Sequence, residues 1–597
     1  MTKIYLDDGW QRVLLTTAHC QLTTILEGDF MRRGAPPSMK TSSRKLLPRA
    51  IIRDEVSGKI LFRGDHSMSG VIAAGSQETA RAGAAILEQG GNAIDAAVAA
   101  AFASFIAEIG VVHLGGSGMA QIYNPVSGHG TVYDFFSATP GLGRAGMPAS
   151  LDFGKVTVDF GATTQEFHLG RGSVAVPGNI RGLCQMAADY GRLPLAQLLA
   201  PAIRLARDGL HLEPFQTETC ELLAPLYTHT AGMRHVFQPN GHFIQPSDVL
   251  YIPHLGHTLR ELAASGADFA YQGPLGQALV ADQDANGGLL TTADLAAYSV
   301  PTLSPIRFPY RDYEILLPPP SSTGGVLTAF TLKLLSAFAV RERAHGSADH
   351  LRLLAEVMGA TSRARVYWDR WREEMPASTA ITTFLANNFV HDYVAQISAA
   401  LASGRPYAPA PEPPGPSNTS HLSVIDGDGL AVSLTTTAGE SAGYIVPGTG
   451  FIPNNIMGEE DLHPRGFHSQ PPGQRIPTMM TPAIVLKDGK IRLVVGSGGS
   501  TRIRSAILQV LSNLLDYHMK LRDAVNIARV HYENGILQCE AGYDAAAVDT
   551  VEQAGYVVNR WPTRSIYFGG AHSVSRTESG RLVAAGDTRR GGAVATV

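Results

Sequence analysis

Six of the thirteen residues from 405 to 417 are proline. Proline lacks a backbone N–H and fixes φ near −65°, so this stretch can run through neither a helix nor a central strand. It reads as an exposed linker, and it splits the chain into two runs of elements. Immediately after it, residues 418–437 form two strand-like runs around the turn Asp426-Gly-Asp-Gly429, which predicts a hairpin whose first strand begins where the linker ends.

The rest of the chain reads as a compact α/β enzyme. Of 597 residues, 44% are hydrophobic and 17% charged, apolar enough for a large core and too weakly charged for disorder. A net charge of −4 without a basic stripe argues against a nucleic-acid partner. Cys20, Cys184, Cys220 and Cys539 show no CxxC spacing, so free thiols are expected rather than a zinc site or a disulfide framework. Residues 1–68 show no sustained period, contain a loop-like stretch at 33–38, and are expected to wrap as an extension on the main body. Acids at the start of the chain, where a signal peptide would be basic and then apolar, lead to a cytoplasmic expectation. The apolar stretch 93–112 is broken by Asp95 and Glu108, which favours a buried helix over a membrane span. Ser76 and Asn92 are helix caps by type and position, and helical periodicity predicts further helices over 180–190, 195–208, 255–265, 326–338, 350–370 and 503–517.

The hairpin offers chemistry. A turn centred on Asp428 sets Thr419 and Thr437 opposite one another, close enough for their hydroxyls to hydrogen-bond. A threonine hydroxyl needs a base, and cleavage of the Asn418–Thr419 bond would supply one, since an α-amine has a pKa near 8 and would sit on the same residue. The bland reading is a polar residue opening a strand. The segment Leu493-Val-Val-Gly-Ser-Gly-Gly-Ser-Thr-Arg-Ile503 is a strand, a glycine-rich turn and a helix start, so the amides of Gly499 and Ser500 are candidates for an oxyanion hole. A phosphate loop would require a Gly-Lys-Ser/Thr ending, which is missing. A plain strand-to-helix turn is the competing reading.

From about Gly70 to its C-terminus the chain resembles γ-glutamyltransferases. The resemblance rests on Gly90-Gly-Asn-Ala-Ile-Asp-Ala-Ala97, Leu114-Gly-Gly-Ser-Gly118, Val174-Ala-Val-Pro-Gly178, Leu205-Ala-Arg-Asp-Gly209, Asp294-Leu-Ala-Ala-Tyr298 and Pro318-Pro-Pro-Ser-Ser-Thr-Gly-Gly325. It continues through Thr419-Ser-His421, Asn454-Asn455, Met480-Thr-Pro482, Gly496-Ser-Gly-Gly-Ser500 and Asp587-Thr-Arg-Arg-Gly-Gly592. It implies an N-terminal-nucleophile hydrolase with a four-layer αββα sandwich, helical additions in the large subunit and no cofactor. It further implies self-cleavage into a large subunit, 69–418, and a small one, 419–597, that stay associated and act on a small molecule. No metal, nucleic-acid or membrane partner is implied, and further oligomerisation is left open. Carried over by position, Thr419 is the nucleophile, Thr437 its supporting hydroxyl, and Gly499 and Ser500 the oxyanion hole.

The substrate pocket departs from the family. Where the family holds a γ-glutamyl carboxylate with the Arg of Asp-Phe-Arg-Glu, this chain has Asp134-Phe-Phe-Ser137, and Phe136 cannot make that charge-assisted pair. Ile456 replaces a polar residue, and Thr478-Met479 replaces a Ser-Ser pair. Glu440 or Glu459 could hold an amine, and Arg475, Arg502 or Arg504 could supply a relocated carboxylate clamp. The expectation is a hydrolase or acyltransferase acting on a non-standard acyl group, an amide or a side-chain bond in a specialised-metabolite pathway. The alternatives are a genuine γ-glutamyltransferase with a relocated Arg and an uncleaved non-catalytic scaffold. A serine hydrolase is disfavoured, since neither Gly-Gly-Ser-Gly near Leu114 nor Gly-Ser-Gly-Gly near Val495 has the nucleophile-elbow spacing. A metalloenzyme is disfavoured too, His254, His257, His463 and His468 reading as solvated loop residues.

Overall fold

The computed structural model describes residues 3–6, 9–12, 50–53, 60–63, 70–159, 164–409, 418–463 and 465–597. The chain divides into two compact units, Met1–Met68 and Ser69–Val597. Within the first, strands Lys3–Leu6, Gly9–Arg12, Ala50–Arg53 and Ile60–Arg63 form an antiparallel sheet. Cys20, the stretch 33–38 and most of the proline-rich linker lie outside the described residues.

The second unit is built on two antiparallel sheets. The first has seven strands in the order Thr302–Leu303, His129–Phe135, Ser117–Asn124, Ala431–Gly439, Asn418–Ile425, Val71–Ala74 and Ala593–Thr596. The second has six, in the order Ile306–Tyr310, Tyr313–Leu317, Ala483–Lys487, Lys490–Val495, Ser573–Arg576 and Leu582–Ala585.

Side-chain alternation explains why both faces of each sheet are covered. Successive residues of a strand point to opposite faces. In the first sheet Ile72, Val424 and Val432 pack into a core under the helices. Their neighbours Val71, Ile425 and Ala431 turn instead to a core shared with the second sheet. The second sheet mirrors this, with Leu316, Ile484 and Val494 facing inward and Ile315, Val485 and Leu493 facing their own helices. The strands Asn418–Ile425 and Ala431–Gly439 are buried at every position, polar ones included, and each fully buried Val, Leu or Ile contributes about 1.5–3 kcal/mol. Helix, sheet, sheet and helix thus stack as four layers.

Helix Ala93–Ala107 lies against the first sheet with every residue buried. Its apolar character on all sides is that of a core helix. Asn92 caps it reciprocally with Asp95: the Asn92 side chain accepts the Ile94 and Asp95 amides, and Asp95 accepts the Asn92 amide at 2.9 Å. Among the described residues, no helix is long and apolar enough to cross a membrane. The expected helices over 195–208 and 255–265 are present as Leu195–Asp208 and Leu255–Ser265. The helix expected from 326 begins earlier, as Thr323–Ser336, because the Ser322 hydroxyl accepts the Gly325 amide at 2.8 Å and the two glycines fall inside the first turn.

Candidate active site

The predicted hairpin forms, and its pairing is centred on Asp428 from Ser420↔Thr436 through Ile425↔Ala431. The turn closes because the Asp426 carboxylate accepts the Leu430 amide at 3.0 Å while its carbonyl accepts that of Gly429. At the start of the strand the register slips, and Asn418 pairs with Gly439. The extra residue is on the second strand, where Thr437 and Ala438 together face the buried Thr419. Thr419 thus faces Thr437 across the bulge, but the Thr437 hydroxyl gives its proton to the backbone and not to the Thr419 hydroxyl as expected. The Thr437 hydroxyl donates to the carbonyl of Asn418 at 2.5 Å, the carbonyl of the Asn418–Thr419 peptide bond, and accepts the Gly439 amide at 3.0 Å.

The N–H of Asn418, which belongs to the preceding peptide unit, is held by a carboxyl group. Asn418 N donates to Glu440 Oε1 at 3.0 Å. Glu440 is buried, and burial pushes its carboxyl well above the usual carboxylate range; the Asn418 N–H opposes this, and the nearby Asp461 charge adds to it. Glu440 thus holds the backbone N–H of the residue just before the expected cut. Asn455 fixes this corner by accepting the amides of Glu440 at 2.8 Å and Ser441 at 3.2 Å. Glu459 is buried beside it, with Oε1 only 2.4 Å from where a Cβ on Gly439 would lie.

The glycine-rich turn meets Thr419 from the second sheet. A Cβ on Gly498 would lie 2.0 Å from the Thr419 carbonyl oxygen, so only glycine lets the two backbones touch. Gly499 has φ +117° and Ser500 φ +48°, and helix Arg502–Leu515 starts directly after them. The Ser500 hydroxyl donates to Asp461 Oδ2, and Thr501 Oγ1 donates to Glu533 at 2.8 Å. Burial raises the Asp461 carboxyl, opposed by the Ser500 hydroxyl and by Arg365 and Arg502.

Two participants were not singled out from sequence. Arg590 Nη1 donates to the Thr419 carbonyl at 3.0 Å. Burial and the charge of Arg502 bring its guanidinium down to about 9, with Asp587 acting the other way. Its position is set by the Asp587-Thr-Arg-Arg-Gly-Gly592 turn, in which Asp587 pairs with Arg529 at 2.6 Å and Arg589 with Glu540 at 2.5 Å. The motif was visible; which of its arginines reaches Thr419 was not. Asp461 carried no sequence signal beyond its type.

The expected pocket residues fall in two groups. Phe136 and Ile456 are both buried in one apolar cluster with Met119, Val132, Met457 and Met480. Thr478 and Met479 line a small recess together with Asp461, Arg365 and Arg372. Met479 also packs into the core beneath the second sheet, and Thr478 Oγ1 accepts the Met480 amide at 3.2 Å. None of the three arginines suggested as a relocated clamp is placed as one. Arg475 donates to the carbonyls of Phe136 and Ser299 and lies over the Tyr298 ring. Arg502 lies over Tyr567 and donates to its carbonyl at 3.3 Å, and Arg504 lines a different recess with Ser505 and His531. His254 and His257 are exposed as expected, whereas His463 is buried with Nε2 3.1 Å from the Ile456 carbonyl, a correction to its reading as a solvated residue.

Two stacked antiparallel sheets between helical layers, with a buried threonine opening a central strand, define the class of N-terminal-nucleophile hydrolases. The family model for gamma-glutamyltranspeptidase matches residues 79–597. An acylase ACY 1 proenzyme from Pseudomonas sp. (strain SE83) is 34% identical over 519 residues, covering 86% of this chain and 90% of that one. A glutathione hydrolase proenzyme from Escherichia coli (strain K12) is 29% identical over 547 residues, covering 89% and 92%. The fold is similar to that of a cephalosporin acylase from Bacillus halodurans, with a TM-score of 0.76 and 24% identity over 89% of this chain and 97% of the other. The chain belongs to the gamma-glutamyltranspeptidase family, and is an enzyme of the hydrolase and acyltransferase kind.

Proposed function

We propose that this chain is a precursor that cuts itself between Asn418 and Thr419 and then uses Thr419 to hydrolyse or transfer an acyl group other than γ-glutamyl. The observation that supports this most directly is the grip on Asn418 from both sides: Thr437 donates to its carbonyl, the one to be attacked, while Glu440 accepts its amide. The Thr437 hydroxyl stabilises negative charge on that oxygen as the Thr419 hydroxyl adds to the carbonyl carbon. The C–N bond breaks, its nitrogen takes up the hydroxyl proton, and an ester links Asn418 to Thr419 Oγ1. Water hydrolyses the ester, leaving a carboxylate on Asn418 and a free amine on Thr419. The products are a large subunit, 69–418 with the extension before it, and a small one, 419–597.

In turnover the Thr419 amine takes the hydroxyl proton, the hydroxyl attacks the substrate acyl carbon, and the amine returns the proton to the leaving group. The amides of Gly499 and Ser500, on a turn touching Thr419, hold the oxyanion. Water or an amine then removes the acyl group. No cofactor enters these steps. Phe136 and Ile456 in a shared apolar cluster, with Arg475 occupied by backbone carbonyls, support an acyl group lacking the γ-glutamyl α-carboxylate. The resemblance to an acylase proenzyme points the same way.

N-terminal sequencing of the purified protein tests the first step: the smaller fragment should begin Thr-Ser-His-Leu, and Thr419→Ala should remain one chain and be inactive. A parent protein that stays a single 63.5 kDa chain at neutral pH sinks the self-cleavage reading and leaves the scaffold alternative. Catalytic efficiencies on γ-glutamyl p-nitroanilide and on neutral acyl p-nitroanilides test the second. A γ-glutamyl compound as the best substrate would reverse the assignment of acyl group.

A further inference from the structure

Seven non-glycine residues among those described have positive φ: His254, Arg311, His468, Asp488, Ser500, His518 and Asn534. Six of them sit at exposed or partly exposed positions, and Ser500 is the buried one. Serine is not among the side chains that visit the left-handed region readily, so something must hold it there. The holder is visible. Ser500 Oγ donates to Asp461 Oδ2, and Asp461 belongs to the short turn Glu460–Leu462, whose backbone is tied in turn by Arg365 Nη2 donating to the Asp461 carbonyl at 3.4 Å. On the other side the helix begins at once, the Arg502 amide bonding the Gly499 carbonyl at 2.9 Å and the Ile503 amide that of Ser500 at 3.0 Å.

We infer that Asp461 is a positioning residue for the oxyanion hole, tethering the Ser500 side chain so that the Ser500 peptide keeps the left-handed conformation that presents its N–H beside that of Gly499. This rests on the assignment of those two amides to the oxyanion hole. The need for the tether comes from the Cβ of Ser500. A glycine at 500 would hold the same φ without strain and without a hydroxyl to anchor, so Asp461 and Ser500 should be energetically coupled. A different role is open to Asp461, because it lines the recess shared with Thr478 and Met479 and could touch substrate there. That role would show in KM.

The probe is p-nitrophenyl acetate, an activated ester whose small acyl group makes little demand on the acyl pocket, with rates expressed per chain carrying a free Thr419 amine. Asp461→Ala should lower kcat by about a hundredfold, the usual cost of one oxyanion donor, with KM nearly unchanged. Asp461→Asn, which keeps an oxygen for the Ser500 hydroxyl, should recover most of that loss. In a Ser500→Gly background the Asp461→Ala penalty should shrink to about threefold or less. Where Asp461→Ala does not fold, Ser500→Ala, which keeps the Cβ and loses the hydroxyl, should be slower than Ser500→Gly by a similar factor. An equal Asp461→Ala penalty in both backgrounds, a rise in KM at constant kcat, or equal rates for Ser500→Ala and Ser500→Gly would overturn the inference alone. Ester hydrolysis no faster in the parent than in Thr419→Ala would instead overturn the underlying assignment of the nucleophile.

Discussion

Thr437 holds both ends of a short relay, donating to the Asn418 carbonyl and accepting the Gly439 amide. Its replacement by Ala removes a side-chain donor from the oxygen that would become negative in the proposed self-cleavage. Thr437→Ala should slow appearance of the small fragment by about one to two orders of magnitude, while Thr437→Ser, which keeps the hydroxyl, stays close to the parent. A time course on a denaturing gel after expression at low temperature measures it, and equal rates for the two variants would remove Thr437 from the chemistry. Phe136 sets the specificity argument at the same scale. Phe136→Arg places a guanidinium in an apolar cluster where nothing pairs with it until a carboxylate arrives. The variant should melt at a lower temperature than the parent. Its γ-glutamyl to neutral-acyl efficiency ratio should rise by about tenfold, as expected if a pairing of about 2 kcal/mol is partly restored. An unchanged ratio in a folded variant would show that the acyl group does not contact position 136.

The hairpin shows how far an element can be read from its own residues. Its turn residues placed the centre at Asp428, and six pairs from Ser420 to Ile425 obey that centre. The slip at Thr419 was not legible, because its causes come from elsewhere in the chain: Glu440 pulls on the Asn418 amide, Arg590 on the Thr419 carbonyl, and Gly498 leaves room for that carbonyl. A local pattern encodes period and turn type; it does not encode which distant donor will claim a particular oxygen. For the same reason Thr419 could be picked out by position as the candidate nucleophile, while Asp461 and Arg590 were not identifiable as its surroundings. The turn after Val495 gives the element its own test. Gly498→Ala would drive a Cβ into the Thr419 carbonyl at 2.0 Å, with backbone on both sides and no flexible group to yield. The variant should lose turnover by at least about a hundredfold or fail to accumulate as a folded protein. Full activity in a well-folded Gly498→Ala protein would mean that the turn and Thr419 do not touch in the working enzyme.

Across the whole molecule, layer order was accessible through the family resemblance, whereas strand order was not legible locally, since the seven-stranded sheet joins residues 71–74 to 593–596 across the full length of the second unit. That interleaving decides what cleavage does to the fold. The strands Asn418–Ile425 and Ala431–Gly439 lie in the middle of the first sheet, bonded to Val71–Ala74 on one side and Ser117–Asn124 on the other. In the second sheet Ala483–Lys487 pairs with Tyr313–Leu317 from before the cut. Cutting the Asn418–Thr419 bond removes none of these ladders and frees only the strand's first residue. Separating the fragments would break both large sheets and expose four shared apolar clusters at once, at a cost far above the 5–15 kcal/mol that holds a typical domain folded. The two fragments should therefore elute together from a size-exclusion column at the volume of the intact precursor, Thr419→Ala serving as the uncleaved standard, and should part only in denaturant. Within the second unit they should also unfold in a single transition, because both large sheets and every apolar cluster take residues from both fragments. Elution of the small fragment by itself in dilute buffer, or two separate melting transitions within the second unit, would show that the sheets are less shared than these ladders require.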